Sequence, residues 1–117
     1  MSAAYNNCRS NTDVGAGDDV SGLMACDQAE IRVQDAALNT NYQKLLASAP
    51  SDADRESIRD GERKWIKARD AECSSQAADD QNPSSQDFTR ADCLLTQEAQ
   101  RNADLKTKLS ATATAGN

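Results

Sequence analysis

The sequence lacks histidine entirely, and its aromatic and branched apolar residues are scarce. Among 117 residues there are one Trp, two Tyr and one Phe. Without histidine, the Ser–His and Cys–His types of nucleophilic site are excluded. Leu, Ile, Val and Phe together fall well below the roughly 20% at which a charged chain begins to resemble a disordered one, and the net charge is −6. A folded domain of this composition needs covalent cross-links to supplement its core.

Long apolar segments are also missing. No run approaches the length of a membrane span, and the opening residues MSAAYNNC lack the apolar stretch of a secretory signal peptide. We expect that a natural export signal has been removed and that Met1 is an added start. Acidic residues outnumber basic ones by 19 to 13, and no basic stripe is interleaved with aromatic residues. The sequence therefore indicates no nucleic-acid partner.

The four cysteines are the most informative residues that are present. They are far apart and include no Cys-x-x-Cys pair, whereas zinc sites built from cysteines use closely spaced ligand pairs. The sequence therefore predicts disulfides and no metal site. Disulfides persist in oxidising compartments, so we expect a periplasmic or secreted protein. We also predict no cofactor, no catalytic residue and no enzymatic activity, because among 19 acidic residues no single carboxylate pair stands out.

The chain divides into an arm, a helical domain and a tail. Residues 1–21 are rich in Asn, Gly and Asp and show no period, so we predict a loop arm tethered by Cys8. Residues 22–109 carry helical periodicity without β-type alternation. Residues 110–117 are of low complexity and are predicted to form a flexible tail. The predicted fold is a small all-α, antiparallel three-helix bundle with an N-terminal loop arm, stapled by two disulfides.

The first predicted helix begins at Leu23 and runs for about 24 residues, the length over which its apolar pattern continues. It ends before Pro50. The residues that recur every seven positions on its inner face are Met24, Ile31, Leu38 and Leu45. This spacing is typical of an amphipathic helix.

The second and third helices are marked by a cap and a loop. Ser51 followed by Asp54 resembles a capping box, with Asp in the place of the usual Glu or Gln. Gly61 lies inside the second helix, where glycine lowers helix stability by up to ~1 kcal/mol, so we expect a close helix contact there. A loop over residues 79–86 then precedes a third helix that begins near Asp87.

The predicted turns bring the cysteines to one end of the bundle. Cys26, Cys73 and Cys93 fall at similar heights, and the arm lets Cys8 reach them. Four cysteines allow three pairings. We favour Cys8–Cys26 with Cys73–Cys93, because each bond closes a local loop, and Cys26–Cys73 with Cys8–Cys93 is the alternative. Each bond would contribute on the order of 3 kcal/mol.

Several polar residues fall on the predicted inner faces of the first two helices. Asp35 and Arg69 are expected at similar heights, near Trp65 and Tyr42. One interpretation is an interior hydrogen-bonded network that fixes how the helices pack. The other is a ligand pocket, for which Asp35→Asn would abolish binding without changing thermal stability. The predicted structural core comprises Asp35, Leu38, Asn39, Tyr42, Trp65 and Arg69.

Four segments carry a resemblance to a known family. The segments are LMAC, then QDAALNTNY, which resembles a D-x-x-L-N-x-x-Y motif, and then GERKWIKARDAEC. The third resembles Q-x-x-W-x-x-x-R-D-x-x-C, with Glu62 in the place of the usual Gln. LLTQEAQRNADL follows Cys93 and resembles a closing C…T…R…L segment. Over residues 8–109 the sequence is therefore similar to the lysozyme inhibitor LprI-like family of exported bacterial proteins.

The resemblance implies a binding protein that inhibits lysozyme-type muramidases by blocking the active-site cleft. An acidic chain would be steered toward a strongly basic lysozyme. The candidate partner-binding residues lie in the segments SAPSDAD and AADDQNPSS: Ser51, Asp52, Asp54, Asp79 and Asp80. The second hypothesis is an envelope interaction module, or an effector-immunity-like protein, that uses the same scaffold for a different protein target.

Overall fold

The protein is all-α in a computed structural model that describes residues 1–11 and 21–115. These residues form four helices and no strand: α1 (Ala3–Asn11), α2 (Ser21–Ser48), α3 (Asp52–Asp79) and α4 (Pro83–Ala115). The predicted all-α class is confirmed, but the predicted number of helices is wrong. The additional helix is α1, which occupies part of the predicted loop arm. Residues 12–20 of that arm lie outside the described residues.

Caps and prolines set the ends of the long helices. Ser51 is the N-cap of α3, and its side chain accepts a hydrogen bond from the backbone N–H of Asp54 at 3.1 Å, as predicted. The connection from α3 to α4 is residues 80–82, shorter than the loop expected from the sequence. α3 continues through Asp79, and Pro83 begins α4, where a proline needs no backbone N–H.

The three long helices lie side by side with α4 in the middle. α4 packs along both α2 and α3, whereas α2 and α3 touch at few positions. The molecule measures 55 × 29 × 16 Å, and a helix with its side chains is about 10–12 Å across, so these helices form roughly one layer. α2 and α4 run parallel to each other and α3 runs antiparallel to both. α4 continues to Ala115, into the segment that the sequence predicts as a tail.

The apolar core is small and centred on α4. Leu95 and Leu105 are fully enclosed, and Leu23 and Leu45 of α2 are buried against the same helix layer. Polar side chains complete the interior, and each has at least one hydrogen-bonded atom, which lowers the free-energy cost of its burial. Two buried oxygens, Asp27 Oδ2 and Glu98 Oε2, have no partner among the described residues. The buried polar and charged residues are Asp27, Glu30, Asn41, Glu62, Glu98 and Asn102.

The inner face of α2 differs from the predicted one. Asp35 and Asn39 were expected inside, but both are exposed. The remaining predicted core residues are half-buried: Leu38, Tyr42, Trp65 and Arg69. The positions that α2 does bury are Leu23, Cys26, Asp27, Glu30, Asn41 and Leu45.

The expected helix contact at Gly61 is absent. Gly61 is exposed, and a methyl group at this position would meet no atom within 4 Å. The prediction is therefore wrong, because α2 and α3 diverge enough to leave open space beside this glycine.

Candidate functional site

The two disulfides lie together at one end of the helical layer. Cys8 is bonded to Cys26 and Cys73 to Cys93, the two pairs that the sequence favours. The connection at residues 80–82 is at this end. The opposite end carries residues 48–54, which include the connection from α2 to α3 and which we call the tip, and the last part of α4 runs toward it. Covalent cross-links therefore hold the end remote from the tip.

The tip presents Ser51, Asp52 and Asp54 to solvent. The Ser51 hydroxyl donates to the Asp54 carboxylate at 2.8 Å while accepting from the Asp54 backbone N–H. Asp52 forms an ion pair with Arg55, and its side chain is 96% exposed. Arg55 also donates to the carbonyl of Ala49 at 3.4 Å. Because a helix N-terminus favours negative charge, the tip holds its carboxylates on an ordered turn.

In the other candidate partner-binding segment, around Asp79 and Asp80, one carboxylate is already hydrogen-bonded within the protein. The Asp80 carboxylate accepts hydrogen bonds from the hydroxyls of Ser85 and Thr89, both at 2.7 Å, and from the backbone N–H of Asn82 at 3.0 Å. These bonds, the one from Ser85 foremost, hold the pKa of Asp80 below its ordinary value. Asp79 is exposed. Asp80 therefore caps the start of α4, whereas Asp79 has no such role and is the more accessible of the two acidic residues.

A groove extends from the tip along the gap between α2 and α3. Its part of larger volume, about 410 Å³, also reaches α4 and is lined by Leu45, Ser57, Ile58, Gly61, Arg101, Lys108 and Ala111. A part of smaller volume, about 330 Å³, shares the first three of these residues and extends to Pro50 and Asp54. We call the whole surface the tip groove. It exists because α2 and α3 make few contacts.

Trp65 lies between two arginines that are anchored by buried carboxylates. The guanidinium carbons of Arg69 and Arg101 are 5.2 and 5.6 Å from the centroid of the ring, within the range of a cation–π interaction. Arg101 donates to Glu62 at 2.8 Å, and Arg69 donates to Glu98 at 3.3 Å. These contacts join α3 to α4.

Glu98 of α4 lies between Asp35 and Arg69, two residues that the sequence predicts at similar heights. Arg69 of α3 reaches Oε1 of Glu98, and Oε2 accepts from no donor among the described residues. A protonated Glu98 can instead donate a hydrogen bond to Asp35 of α2. Burial raises the pKa of Glu98 to about 8, with a further contribution from Asp35 that Arg69 opposes. The Glu98 side chain is only 4% exposed. At neutral pH the proton on Glu98 therefore joins the two carboxyl groups and fixes α2 to α4.

A second carboxyl cluster joins α1, α2 and α4. Asp27 is fully buried, and its Oδ1 accepts from the Tyr5 hydroxyl at 2.9 Å and from Arg9 at 3.1 Å. Arg9 also reaches Asp92 of α4 at 3.4 Å. Burial, helped by a hydrogen bond with Asp92, raises the pKa of Asp27. The sequence analysis missed this cluster because α1 was not predicted.

A third polar contact between α2 and α4 uses amide side chains. Asn41 donates to the Oδ1 of Asn102 at 3.2 Å. The Nδ2 of Asn102 donates to the Gln34 backbone carbonyl at 3.0 Å and to its side-chain oxygen at 2.8 Å. The amide contact and the two carboxyl clusters all join one helix to another. This favours the interpretation of the polar interior residues as a structural network over that of a ligand pocket.

Neither a metal-binding cluster nor a membrane-spanning helix is found in the part of the chain that the structure describes. Across residues 1–11 and 21–115, no group of three or more His, Cys, Asp or Glu side chains is arranged to hold a metal ion. Among these same residues, no helix has the length and apolar character needed to cross a membrane.

Comparison with protein-family models shows the family to which the chain belongs. A family model described as lysozyme inhibitor LprI matches residues 4–105. The chain belongs to this family. The match includes both disulfides, the tip and the polar contacts between α2 and α4, so the LprI resemblance seen in the sequence is confirmed. Comparisons with curated proteins and with solved structures give no significant match.

Proposed function

We propose that this LprI-family protein is exported and inhibits a lysozyme-type muramidase by placing its tip against the active-site cleft. The observation that carries the proposal is the set of exposed carboxylates on an ordered turn, at Asp52 and Asp54, in a chain of this family. The role is one of binding, and the target is a protein.

The shape of the molecule suits an approach by the tip. The helical layer is 55 Å long but 16 Å thick, so the tip projects at one end of a long, thin body. The two disulfides hold the far end, which keeps the long helices aligned behind the tip. A binding surface that is ordered before contact loses less conformational entropy on association.

Charge supports the same orientation. The chain carries a net charge of −6, and long-range attraction accelerates its encounter with a basic enzyme. The acidic residues of the tip then meet the basic surface at close range. Two disulfides also indicate an oxidising compartment, so we place the protein in the periplasm or outside the cell, where muramidases act.

The proposal is tested with a panel of hen-type, goose-type and invertebrate-type lysozymes acting on cell walls. We expect the protein to slow lysis by at least one of them. Asp52→Lys should weaken that inhibition by about tenfold or more, as for a central charged contact. Asp79→Lys, a matched exposed aspartate at the disulfide end, should change it by less than about twofold.

Two results would reject this account. If none of the lysozymes is inhibited, the inhibitor hypothesis fails and the hypothesis of a different envelope partner gains support. If Asp79→Lys weakens inhibition while Asp52→Lys does not, the protein is an inhibitor that binds through the α3–α4 connection instead of the tip.

A further inference from the structure

Gly61 is a residue that the fold of the isolated chain does not require. It lies inside α3, where glycine is less favourable than alanine because its backbone loses more conformational freedom. Crowding does not explain it, because a methyl group there would meet no atom within 4 Å. Its backbone is helical, so no left-handed conformation calls for glycine either. The chain therefore keeps space open at Gly61 that its own side chain would otherwise take.

The space beside Gly61 is the tip groove. Leu45 of α2 and Ile58 of α3 provide apolar surface on its walls. The part of larger volume, about 410 Å³, lies within the range of roughly 300–1,000 Å³ that is typical of binding pockets. Protein interfaces are commonly anchored by a large apolar side chain that fills such a pocket and is surrounded by a polar rim.

The charges around the groove favour a basic partner at the tip end. Asp54 lines the groove there, and Asp52 is exposed beside it. Arg101 also lines the groove, but its guanidinium is paired with Glu62 at 2.8 Å. Lys108 also lines the groove and lies nearer the tip than Arg101, because α4 runs parallel to α2 toward the tip. The acidic part of the rim is therefore confined to residues 52–54. A partner that presents a basic residue next to an apolar one therefore matches the acidic tip and the apolar groove together.

We propose that the tip groove receives an apolar side chain of the bound lysozyme, flanked on the lysozyme surface by a basic residue that meets Asp52 and Asp54. This inference rests on the proposed function and deepens it, because it assigns the apolar anchor of the same interface. Gly61 provides the room for the anchor, and Leu45 and Ile58 provide its contacts. The acidic tip positions the partner so that the anchor enters the groove.

The first test fills the groove from within. Gly61→Leu places a side chain in the open space, and the absence of neighbours at this position predicts a folded protein with an unchanged or higher melting temperature. We expect inhibition of the responsive lysozyme to fall by about tenfold or more, because the anchor is excluded. Ala68→Leu is the matched control, since it adds similar bulk at an exposed position of α3 outside the groove and should inhibit like the wild type.

The outcomes separate this inference from the proposed function. If the wild type inhibits and Gly61→Leu inhibits equally well, the groove is not part of the interface and only this inference fails. If the wild type inhibits no lysozyme, the proposed function fails and the anchor is rejected with it. Equal losses for Gly61→Leu and Ala68→Leu would show that bulk anywhere on α3 interferes, which also overturns the assignment.

A second test measures the accessibility of the groove wall in the complex with lysozyme. All four native cysteines are in disulfides, so Ser57→Cys introduces a single free thiol on the groove wall. Saturating lysozyme should slow its alkylation by about tenfold or more, because the anchor covers it. Ala68→Cys should be alkylated at the same rate with and without lysozyme. Unchanged alkylation at Ser57→Cys in a saturated complex would overturn the inference.

Discussion

Arg69 of α3 donates a hydrogen bond to Glu98 of α4 at 3.3 Å, and this contact lies at the centre of the helical layer. A protonated Glu98 can also donate a hydrogen bond to Asp35 of α2. One buried carboxyl group therefore connects all three long helices. The arrangement makes the packing of α2 and α3 on the central helix depend on the protonation of Glu98.

The contribution of Glu98 to the free energy of unfolding should fall as the pH rises toward 8. Its pKa is raised from 4.5 to about 8 in the folded chain. Between these values the folded state holds a proton that the unfolded state has released, so the free energy of unfolding decreases with rising pH. Ionisation leaves a buried oxygen without a donor, which costs about 1–3 kcal/mol. Urea titrations at pH 5, 7 and 9 measure the effect.

Glu98→Gln identifies the group responsible, because glutamine stays neutral and can donate to Asp35. We expect this variant to show a flatter dependence of stability on pH than the wild type and to be the more stable of the two at pH 9. Glu72→Gln, at an exposed position of α3, should leave the wild-type profile unchanged. Parallel profiles for Glu98→Gln and the wild type would show that Glu98 is ionised throughout and contradict the shared proton.

The amide contact between α2 and α4 predicts which asparagines carry stability. Asn102→Ala removes three hydrogen bonds at a buried position and should lower the free energy of unfolding by about 2–3 kcal/mol. Asn39→Ala, at an exposed position of α2, should change it by less than about 0.5 kcal/mol. Chemical denaturation distinguishes the two. A larger loss of unfolding free energy for Asn39→Ala than for Asn102→Ala would support the inner face of α2 predicted from the sequence and contradict the observed one.

The disulfides predict a measurable loss on removal. The Cys73–Cys93 bond closes a loop of 20 residues in sequence separation, and its loss should lower the free energy of unfolding by about 3 kcal/mol. The double variant Cys73→Ser with Cys93→Ser, unfolded in urea beside the wild type, measures this. Non-reducing mass spectrometry gives the pairing. A chain with four free thiols and an unchanged melting transition would contradict the account of its stability.

The fold class and the tip were predictable from the sequence because their signals are local. The Ser51 cap needs only its own turn and the N–H of Asp54, and Pro50 precedes it in the chain. The grouping of the cysteines at one end of the bundle could be predicted from the positions of the turns along the sequence. Such features depend on neighbours in the chain and require no knowledge of how helices meet.

The helix α1 could not be predicted from local signals. It has nine residues, and isolated helices shorter than about 12–15 residues are marginal in water. Its support is tertiary: the Cys8–Cys26 bond and the hydrogen bonds from Tyr5 and Arg9 to Asp27. A sequence rich in Asn and lacking a period is therefore held as a helix by its contacts with α2 and α4.

The inner face of α2 was misplaced because apolar residues do not mark it. Of the four residues in the seven-residue repeat, Met24, Ile31 and Leu38 are half-buried and only Leu45 is buried, so the repeat marks the edge of the true face. The positions that are buried include Asp27, Glu30 and Asn41. Their burial depends on partners in α1, α4 and the N-terminal residues, which the sequence of α2 does not reveal.

The central claim is that the tip and its groove form the surface that binds lysozyme. Hydrogen–deuterium exchange of the protein alone and in complex with the responsive lysozyme tests it most directly. We predict slower exchange on binding at residues 48–62 and little change at residues 80–86. Protection confined to residues 80–86 or to α1, with residues 48–62 unchanged, would contradict the claim.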